Sequence, residues 1–334
     1  MTYFITHTIE PWMPPGALKA KSDYAQIAQR QGWTILPIAR YNDVRFDNET
    51  RQNHIKTWLN AVKADDIVIH QFPSYMSCHF EQQWVQEINN RSAHSIVLIH
   101  DIEPLRLVKT DAWELSVLKQ YNTIIVHSEA MANALRGMGI NSNFIIQPLF
   151  DYLGEVDKLA SYSHLINFAG TFQKSPWLKD YDGPQINLFG SVPKKWRDFV
   201  FPNQVSYHGN FDPDDILNQL TSGFGLIWDN DFEDKTYQSY TKYNAPHKAS
   251  LYLRAGLPLI AWQKSALATI IKKYNIGLSI NSLNELNHIS DISPNQYQTW
   301  QANIQPIASQ LAQGSFTQKI LITIQNKSFN QKFD

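Results

Sequence analysis

Apolar residues in this chain gather in short runs, and between the runs they recur at three- and four-residue spacing. In the first half the runs predict strands near 3–9, 33–39, 66–71, 95–100, 123–127 and 143–147. The intervening segments predict helices near 17–31, 48–63, 78–90, 111–120 and 129–138. Ile67-Val68-Ile69 and Ile96-Val97-Leu98-Ile99 are apolar on consecutive positions, as expected of strands covered by helices on both faces. Strand and helix in alternation predict a parallel, doubly wound sheet.

The alternation breaks near 148–163, a polar and irregular stretch that reads as a linker. A second series follows, with strands near 165–169, 185–189, 205–208, 223–228, 257–262 and 276–280. Helices are expected near 213–220, 246–255, 265–274 and 284–289, and residues 294–325 read as all-helical. The expectation is an α/β chain of two Rossmann-like doubly wound domains, 1–150 and 160–325, facing across a cleft. Its last helices are expected to pack back toward the first domain. Ligands in such sheets bind beyond the carboxyl ends of the strands, so the loops after each strand are where chemistry is sought.

Length and composition are compatible with this. A chain of 334 residues suits two domains better than one. The formal net charge of −1 leaves no basic footprint for nucleic acid, and the densest basic group is only Lys194, Lys195 and Arg197. No apolar run approaches the roughly 20 residues of a membrane span. The first residues read as a strand rather than a signal peptide, so a cytoplasmic protein is expected. Cys78 is the single cysteine, which excludes a disulfide framework and a cysteine-based metal site. Trp58, Trp84 and Trp113 lie at helical spacing among apolar neighbours and read as core.

The segment from Tyr243 to Ile260 carries the most chemistry. Asn244, Pro246, His247 and Lys248 lead into a helix that Gly256 and Pro258 end. A helix N-terminus presents unpaired N–H groups to phosphate, and His247 with Lys248 makes a plausible diphosphate clamp. A merely solvated lysine is the competing reading. The strand ending at Ala169 runs into Gly170-Thr171-Phe172-Gln173-Lys174, where a glycine permits close backbone approach and Lys174 can reach a phosphate. Gly209-Asn210 and Asp229-Asn230 follow other strands of the same predicted sheet, so four polar loops share one edge.

In the first domain, His100-Asp101-Ile102-Glu103 follows a fully apolar strand, where a general base for a hydroxyl belongs. Asp101 as a simple cap or turn residue is the competing reading. Gln71 ends a neighbouring strand. His127 reads as structural, because Ser128-Glu129 is a helix N-cap signal. Gly16 and Lys19 belong to a glycine-containing loop that enters the first helix and can admit an acceptor or a phosphate, without the G-x-G-x-x-G spacing of a dinucleotide site. No nucleophile elbow, Walker loop or zinc-protease motif occurs. Asp229-Asn230-Asp231 superficially matches a D-x-D metal motif, but its two-domain setting reads against a metal, and none is expected.

These segments together resemble a family of bacterial glycosyltransferases that add the second sugar to O-linked GlcNAc on serine-rich-repeat adhesins, with related galactofuranosyltransferases of polysaccharide synthesis. The resemblance rests on Leu98-Ile99-His100-Asp101-Ile102-Glu103-Pro104-Leu105, Asn167-Phe168-Ala169-Gly170, Gly223-Phe224-Gly225-Leu226-Ile227-Trp228, Tyr237-Gln238-Ser239 and the stretch from Pro246 to Pro258. It spans nearly the whole chain. It implies the GT-B fold, a UDP-sugar held by the C-terminal domain without a metal or other cofactor, and a homo-oligomer, with tetramers in adhesin-modifying members. By position it assigns nucleotide contacts to Lys174 and Lys248. With the loop readings, the expected UDP-sugar set is Gly170, Thr171, Lys174, Asn210, Tyr243, Asn244, His247 and Lys248. Gly16, Lys19, Gln71 and His100 are expected to bind the acceptor, a GlcNAc-modified adhesin or glycan, with Asp101 and then Glu103 as the catalytic base. One departure matters: Leu251 stands where many retaining GT-B enzymes carry a ribose-binding Glu, and the Glu-x7-Glu arrangement is missing. An inverting transfer of glucose or GlcNAc is therefore expected. The alternatives are galactofuranosyl transfer, a non-catalytic nucleotide-sugar-binding subunit of a transferase complex, and a UDP-sugar epimerase.

Overall fold

The computed structural model describes residues 1–9, 15–155, 159–170 and 172–330. The chain forms two compact units, Met1–Pro148 with Gly314–Asp334, and Leu149–Gln313.

The first unit alternates β1 (Tyr3–Ile9), α1 (Pro15–Arg30), β2 (Thr34–Ala39), α2 (Asn48–Trp58), β3 (Ile67–Phe72), α3 (Cys78–Asn90), β4 (His94–Ile99), α4 (Trp113–Leu118), β5 (Thr123–Val126), α5 (Glu129–Gly137) and β6 (Asn143–Ile146). The sheet runs β2-β1-β3-β4-β5-β6 and is parallel throughout. From β1 the chain steps out to β2, then returns to the opposite side of β1 as β3. Loops leaving β1 and β3 therefore diverge, and that divergence opens a ligand crevice at their carboxyl ends. Every residue of β3 is buried, including the polar His70 and Gln71. Ser77 and Ser128 cap the N-termini of α3 and α5 by accepting from Phe80 N and Met131 N, which starts each helix at the expected position. Phe4, Ile38, Leu59, Val68, Phe80 and Trp84 form part of one core, and Trp58 packs half-buried against it.

The second unit contains β7 (Ser161–Ala169), β8 (Ile186–Phe189), β9 (Val205–Gly209), β10 (Ser222–Ile227), β11 (Asp231–Phe232), β12 (Lys235–Thr236), α6 (Tyr237–Tyr240), α7 (His247–Arg254), β13 (Leu259–Trp262), α8 (Ala266–Tyr274), β14 (Gly277–Ile280) and α9 (Pro294–Gln313). Its parallel sheet is ordered β14-β13-β10-β7-β8-β9, and β11 pairs with β12 as a separate hairpin. The reversal here falls between β7 and β10, which places the second crevice beyond Ala169 and Ile227.

Several elements differ from the pattern. β7 begins at Ser161, inside the expected linker, because Ser161 N donates to Thr221 O beside β10. The helices expected at 213–220 and 284–289 are 3-10 turns at Asp215–Asn218 and Leu283–Asp291. Asn and Asp are frequent in both, and their side chains compete with the helical ladder. The all-helical tail is two helices broken at Gly314 (φ +83°), and the second, α10 (Ser315–Asn330), belongs to the first unit, where it packs on α1. Gln147 Nε2 donates to Thr317 Oγ1 at 3.3 Å within that unit. Gly16 lies in the first turn of α1 rather than in a loop, and a Cβ there would meet nothing.

Candidate functional site

In the second unit one side chain ties the two strands that flank the crevice. Tyr252 of α7 is buried, its hydroxyl accepts from Ala169 N at 2.7 Å, and it donates to Leu226 O at 3.3 Å. Burial pushes its phenol well above the ordinary value, so it stays a neutral hydrogen-bonding group. The ring packs so close to β10 that a Cβ at Gly225 would fall 2.2 Å from Tyr252 Cγ. Only glycine fits there.

One helical turn earlier on the same face stands Lys248. Its Nζ lies 3.3 Å from Asp229 Oδ1 and 4.9 Å from the centre of the Phe168 ring. The two side chains are only 17% and 14% exposed, so solvent screens the pair less than an ordinary surface bridge. Asp229 is held by its backbone, since Asp229 N donates to Gln238 Oε1 at 3.0 Å. Lys174, in the 3-10 turn after β7, sets its Nζ 5.0 Å from the Tyr237 ring, and Lys174 O accepts from Asn230 N at 3.1 Å. The loops after β7 and β10 are thus stitched together, and the Lys248 ammonium touches residues of both strand ends. Gly170 (φ +153°) adopts a backbone angle that favours glycine, and its N donates to Phe189 O.

The remaining sequence-selected residues of this unit are dispersed. His247 faces away from that pair: its Nε2 donates to Asp151 O at 3.1 Å and its ring stacks on Tyr152 at 4.9 Å. Ser250 Oγ donates to Phe150 O at 2.5 Å, and Arg254 donates to Tyr152 O at 2.8 Å and Glu155 O at 2.6 Å. Positions 247, 250 and 254 share one helix face, so α7 grips the segment before β7 with one face and the sheet with the other. Asn210 follows β9, two strands from β7, which at sheet spacing is roughly 10 Å away. Tyr243 N and Asn244 N both donate to Tyr240 O. Thr171 lies outside the described residues. Asp231 bonds Ser239 through its N at 2.9 Å and its Oγ at 2.5 Å, so Asp229 and Asp231 serve different partners. Among the described residues no three His, Cys, Asp or Glu side chains form a group able to hold a metal ion. Asp229, Phe168, Tyr237 and Gln238 were not selected as site residues, although Asp229 sits in a strand-end loop that the topology rule singles out.

In the first unit the crevice beside β3 holds a polar cluster. Gln71 is fully buried; its Nε2 donates to Thr6 O at 2.8 Å and Lys21 O at 3.2 Å. Its Oε1 must then be an acceptor, and it lies 2.9 Å from His100 Nε2. The His100 ring therefore carries a proton on Nε2, which makes Nδ1 the basic nitrogen. Lys21, also buried, donates through Nζ to Gln71 O at 3.4 Å and to Pro73 O. Lys19 pairs with Asp23 at 3.3 Å along α1. Asp101 is one-third exposed and accepts from Arg106 Nη1 at 3.0 Å. Glu103 opens a 3-10 turn, and its N donates to the buried Glu114 at 2.8 Å. Burial, together with the nearby Glu103 charge, pushes the Glu114 carboxyl up to about 7 despite that hydrogen bond. His127 donates to Ile99 O at 2.7 Å, and its pKa is lowered by burial. It is a neutral strand-end fastener.

Two family models match the chain: Glucosyltransferase 3-like, N-terminal domain, over residues 2–149, and Glucosyltransferase 3-like, C-terminal domain, over 166–324. Glucosyltransferase 3 of Streptococcus gordonii is 25% identical over 315 residues, 92% of this chain and 93% of that protein. Beta-1,6-galactofuranosyltransferase WbbI of Escherichia coli (strain K12) is 26% identical over 279 residues, 80% of this chain and 81% of that protein. Among solved structures, Anabaena Alr3699/HepE in complex with UDP and glucose aligns with a TM-score of 0.62 at 12% identity, covering 97% of this chain and 100% of that one. The structural likeness shows the GT-B fold. No helix of the described residues is long and apolar enough to cross a membrane.

Proposed function

We propose, for a chain that belongs to the glucosyltransferase 3-like family and is a UDP-sugar glycosyltransferase, an inverting, metal-independent transfer of glucose or GlcNAc to O-linked GlcNAc on a serine-rich-repeat adhesin. The observation that carries this reading is the placement of Lys248 and Lys174 at the β7/β10 switch point, on loops stitched to each other. Departing UDP gains negative charge as the anomeric bond breaks. Lys248 and Lys174 supply fixed positive charge there, and Gly170 lets the backbone approach closely, so no cation is required. Lys248 leaves Asp229 for the diphosphate, and the Phe168 ring keeps its ammonium in place.

Asp101 receives the proton of the acceptor hydroxyl, with Glu103 as the second choice, and Gln71, His100, Lys19 and Gly16 belong to the acceptor side. The missing Glu-x7-Glu pair, with Leu251 at the ribose-binding position, supports direct displacement with inversion. A cytoplasmic homotetramer completes the proposal, and light scattering on the purified chain tests the assembly. Galactofuranosyl transfer is the second reading, favoured by the similarity to WbbI across 80% of this chain.

The deciding experiment incubates the purified chain, with EDTA present, with a panel of UDP-sugars and a GlcNAc-bearing peptide, and reads the mass gained. A gain of one hexose or HexNAc from UDP-glucose or UDP-GlcNAc, with a β linkage by NMR, is expected. Transfer only from UDP-galactofuranose selects the second reading. UDP binding with no transfer would mark a non-catalytic subunit, and acceptor-free conversion of the donor would mark an epimerase.

A further inference from the structure

The loop that carries Asp229 contains a hydrogen-bond demand that the described residues leave unmet. Gln238 of α6 is 9% exposed, and its Oε1 is committed to Asp229 N at 3.0 Å. An N–H can be met only by the amide oxygen, so the orientation of this carboxamide is settled. Its Nε2 is consequently a buried donor, and among the described residues it has no acceptor. Asn230 Oδ1, next to Asp229, and Asn244 Oδ1, one turn before Lys248, are likewise buried with no donor. The two asparagines are fixed through their main chains, Asn230 N to Lys174 O and Asn244 N to Tyr240 O. Buried polar atoms without partners are uncommon in folded proteins because each costs desolvation energy.

We propose that Gln238, with Asn230 and Asn244, reads hydroxyl groups of the UDP-sugar and is a specificity-determining residue of this site. The inference rests on the transferase reading above and adds to it which chemical groups the loop selects. One donor and two acceptors must be satisfied together. A phosphate oxygen at neutral pH only accepts, so it suits Lys248 and Lys174 but not the two asparagine oxygens. Uracil offers a single N–H. Hydroxyls both donate and accept, so a polyol face satisfies all three amides. Such a site discriminates strongly, because a ligand lacking the hydroxyl leaves the buried amides unpaired again. The ribose and the transferred hexose share this chemistry.

The test is calorimetric titration of UDP and of UDP-sugars into the wild-type chain, Gln238→Glu and Gln238→Met. Gln238→Glu keeps an oxygen for Asp229 N and removes the amine donor; Gln238→Met removes both without adding charge. Loss of about tenfold in affinity is expected for a missing hydrogen bond of this kind. Weaker binding of the UDP-sugar alone assigns the amide to the hexose, and equal weakening of UDP and UDP-sugar assigns it to the ribose; either result supports the proposal. The penalty must also vanish with the one deoxy analogue, of hexose or ribose, that lacks the hydroxyl Gln238 reads. Unchanged affinity in both variants overturns the proposal. So does a penalty that persists with every deoxy analogue, since the side chain would then act only by holding the Asp229 loop. If the wild-type chain binds UDP-sugars but transfers nothing, the transferase reading fails while these titrations still decide the inference.

Discussion

Tyr252 occupies the space that a side chain at Gly225 would need: a Cβ there would stand 2.2 Å from Tyr252 Cγ. The same tyrosine bridges Ala169 N and Leu226 O, so ring and hydroxyl together set the spacing of the two strands that flank the candidate donor site. Gly225→Ala is expected to destabilise the second unit by about 1–3 kcal/mol through overpacking, and more if β10 cannot shift. Tyr252→Phe keeps the packing but leaves a buried N–H unpaired, at about 1–3 kcal/mol. Urea denaturation measures both; a Tyr252→Phe variant as stable as wild type would show that the hydroxyl is dispensable.

Lys248→Ala should lower turnover on the order of 10²–10³ with UDP-sugar in excess, the usual cost of removing one preorganised charge donor. Circular dichroism should show the fold retained. Because the substitution strands the Asp229 carboxylate, Lys248→Ala with Asp229→Asn separates the two effects. Stability should recover in the double variant while turnover stays low. Wild-type-like turnover in Lys248→Ala removes this lysine from the mechanism.

Glu114 makes the first unit sensitive to pH. Its carboxyl lies at about 7 in the fold against an ordinary 4.5, so the native state holds the proton more tightly than the unfolded chain. The stabilisation is complete below the unfolded value and disappears as pH rises through about 7. Glu114→Gln keeps an oxygen for Glu103 N and carries no charge. The variant should therefore gain up to about 3 kcal/mol on wild type between pH 4 and pH 8, from a shift of this size. Urea titrations at the two pH values check this, and a constant gap between the proteins would contradict it.

The buried Gln71 carboxamide dictates how His100 holds its proton. Nitrogen-15 NMR on the histidine-labelled chain, with His100 assigned by difference against His100→Asn, should display the Nε2–H form. Replacing Gln71 by Met should abolish that preference. An Nδ1–H ring in the wild type would mean that the Gln71 amide is turned the other way. Since Asn places an oxygen near the position of Nδ1 and Gln near that of Nε2, His100→Asn should keep a lower acceptor KM than His100→Gln.

Much of the architecture was legible in the chain itself, for local reasons. Consecutive apolar residues at Ile67–Ile69 and Ile96–Ile99 can be satisfied only in strands covered on both faces. Ser128-Glu129 and the Pro246–Gly256 span mark helix ends through caps and missing N–H groups, which neighbouring residues decide among themselves. Lys174 and Lys248 could be picked out because each follows closely on a strand end or opens a helix. Asp229-Asn230-Asp231 matches a D-x-D pattern by sequence, and the structure gives Asp229 to Lys248 and Asp231 to Ser239.

What periodicity could not decide is which strands lie side by side, and the site follows from that. Strand order puts Ala169 beside β10 and brings Tyr252 to it across 83 positions of sequence; Asp229 meets Lys248 across 19. His247 reads from sequence as a phosphate ligand beside Lys248, yet the helical twist of about 100° per residue turns it to a different face, onto Asp151 and Tyr152. Hydrophobic pattern is a property of neighbours and survives in the sequence. Side-chain partnership depends on long-range packing, and tertiary structure alone determined that Gln71 would orient His100 and that Gln238 would keep one hydrogen bond unspent.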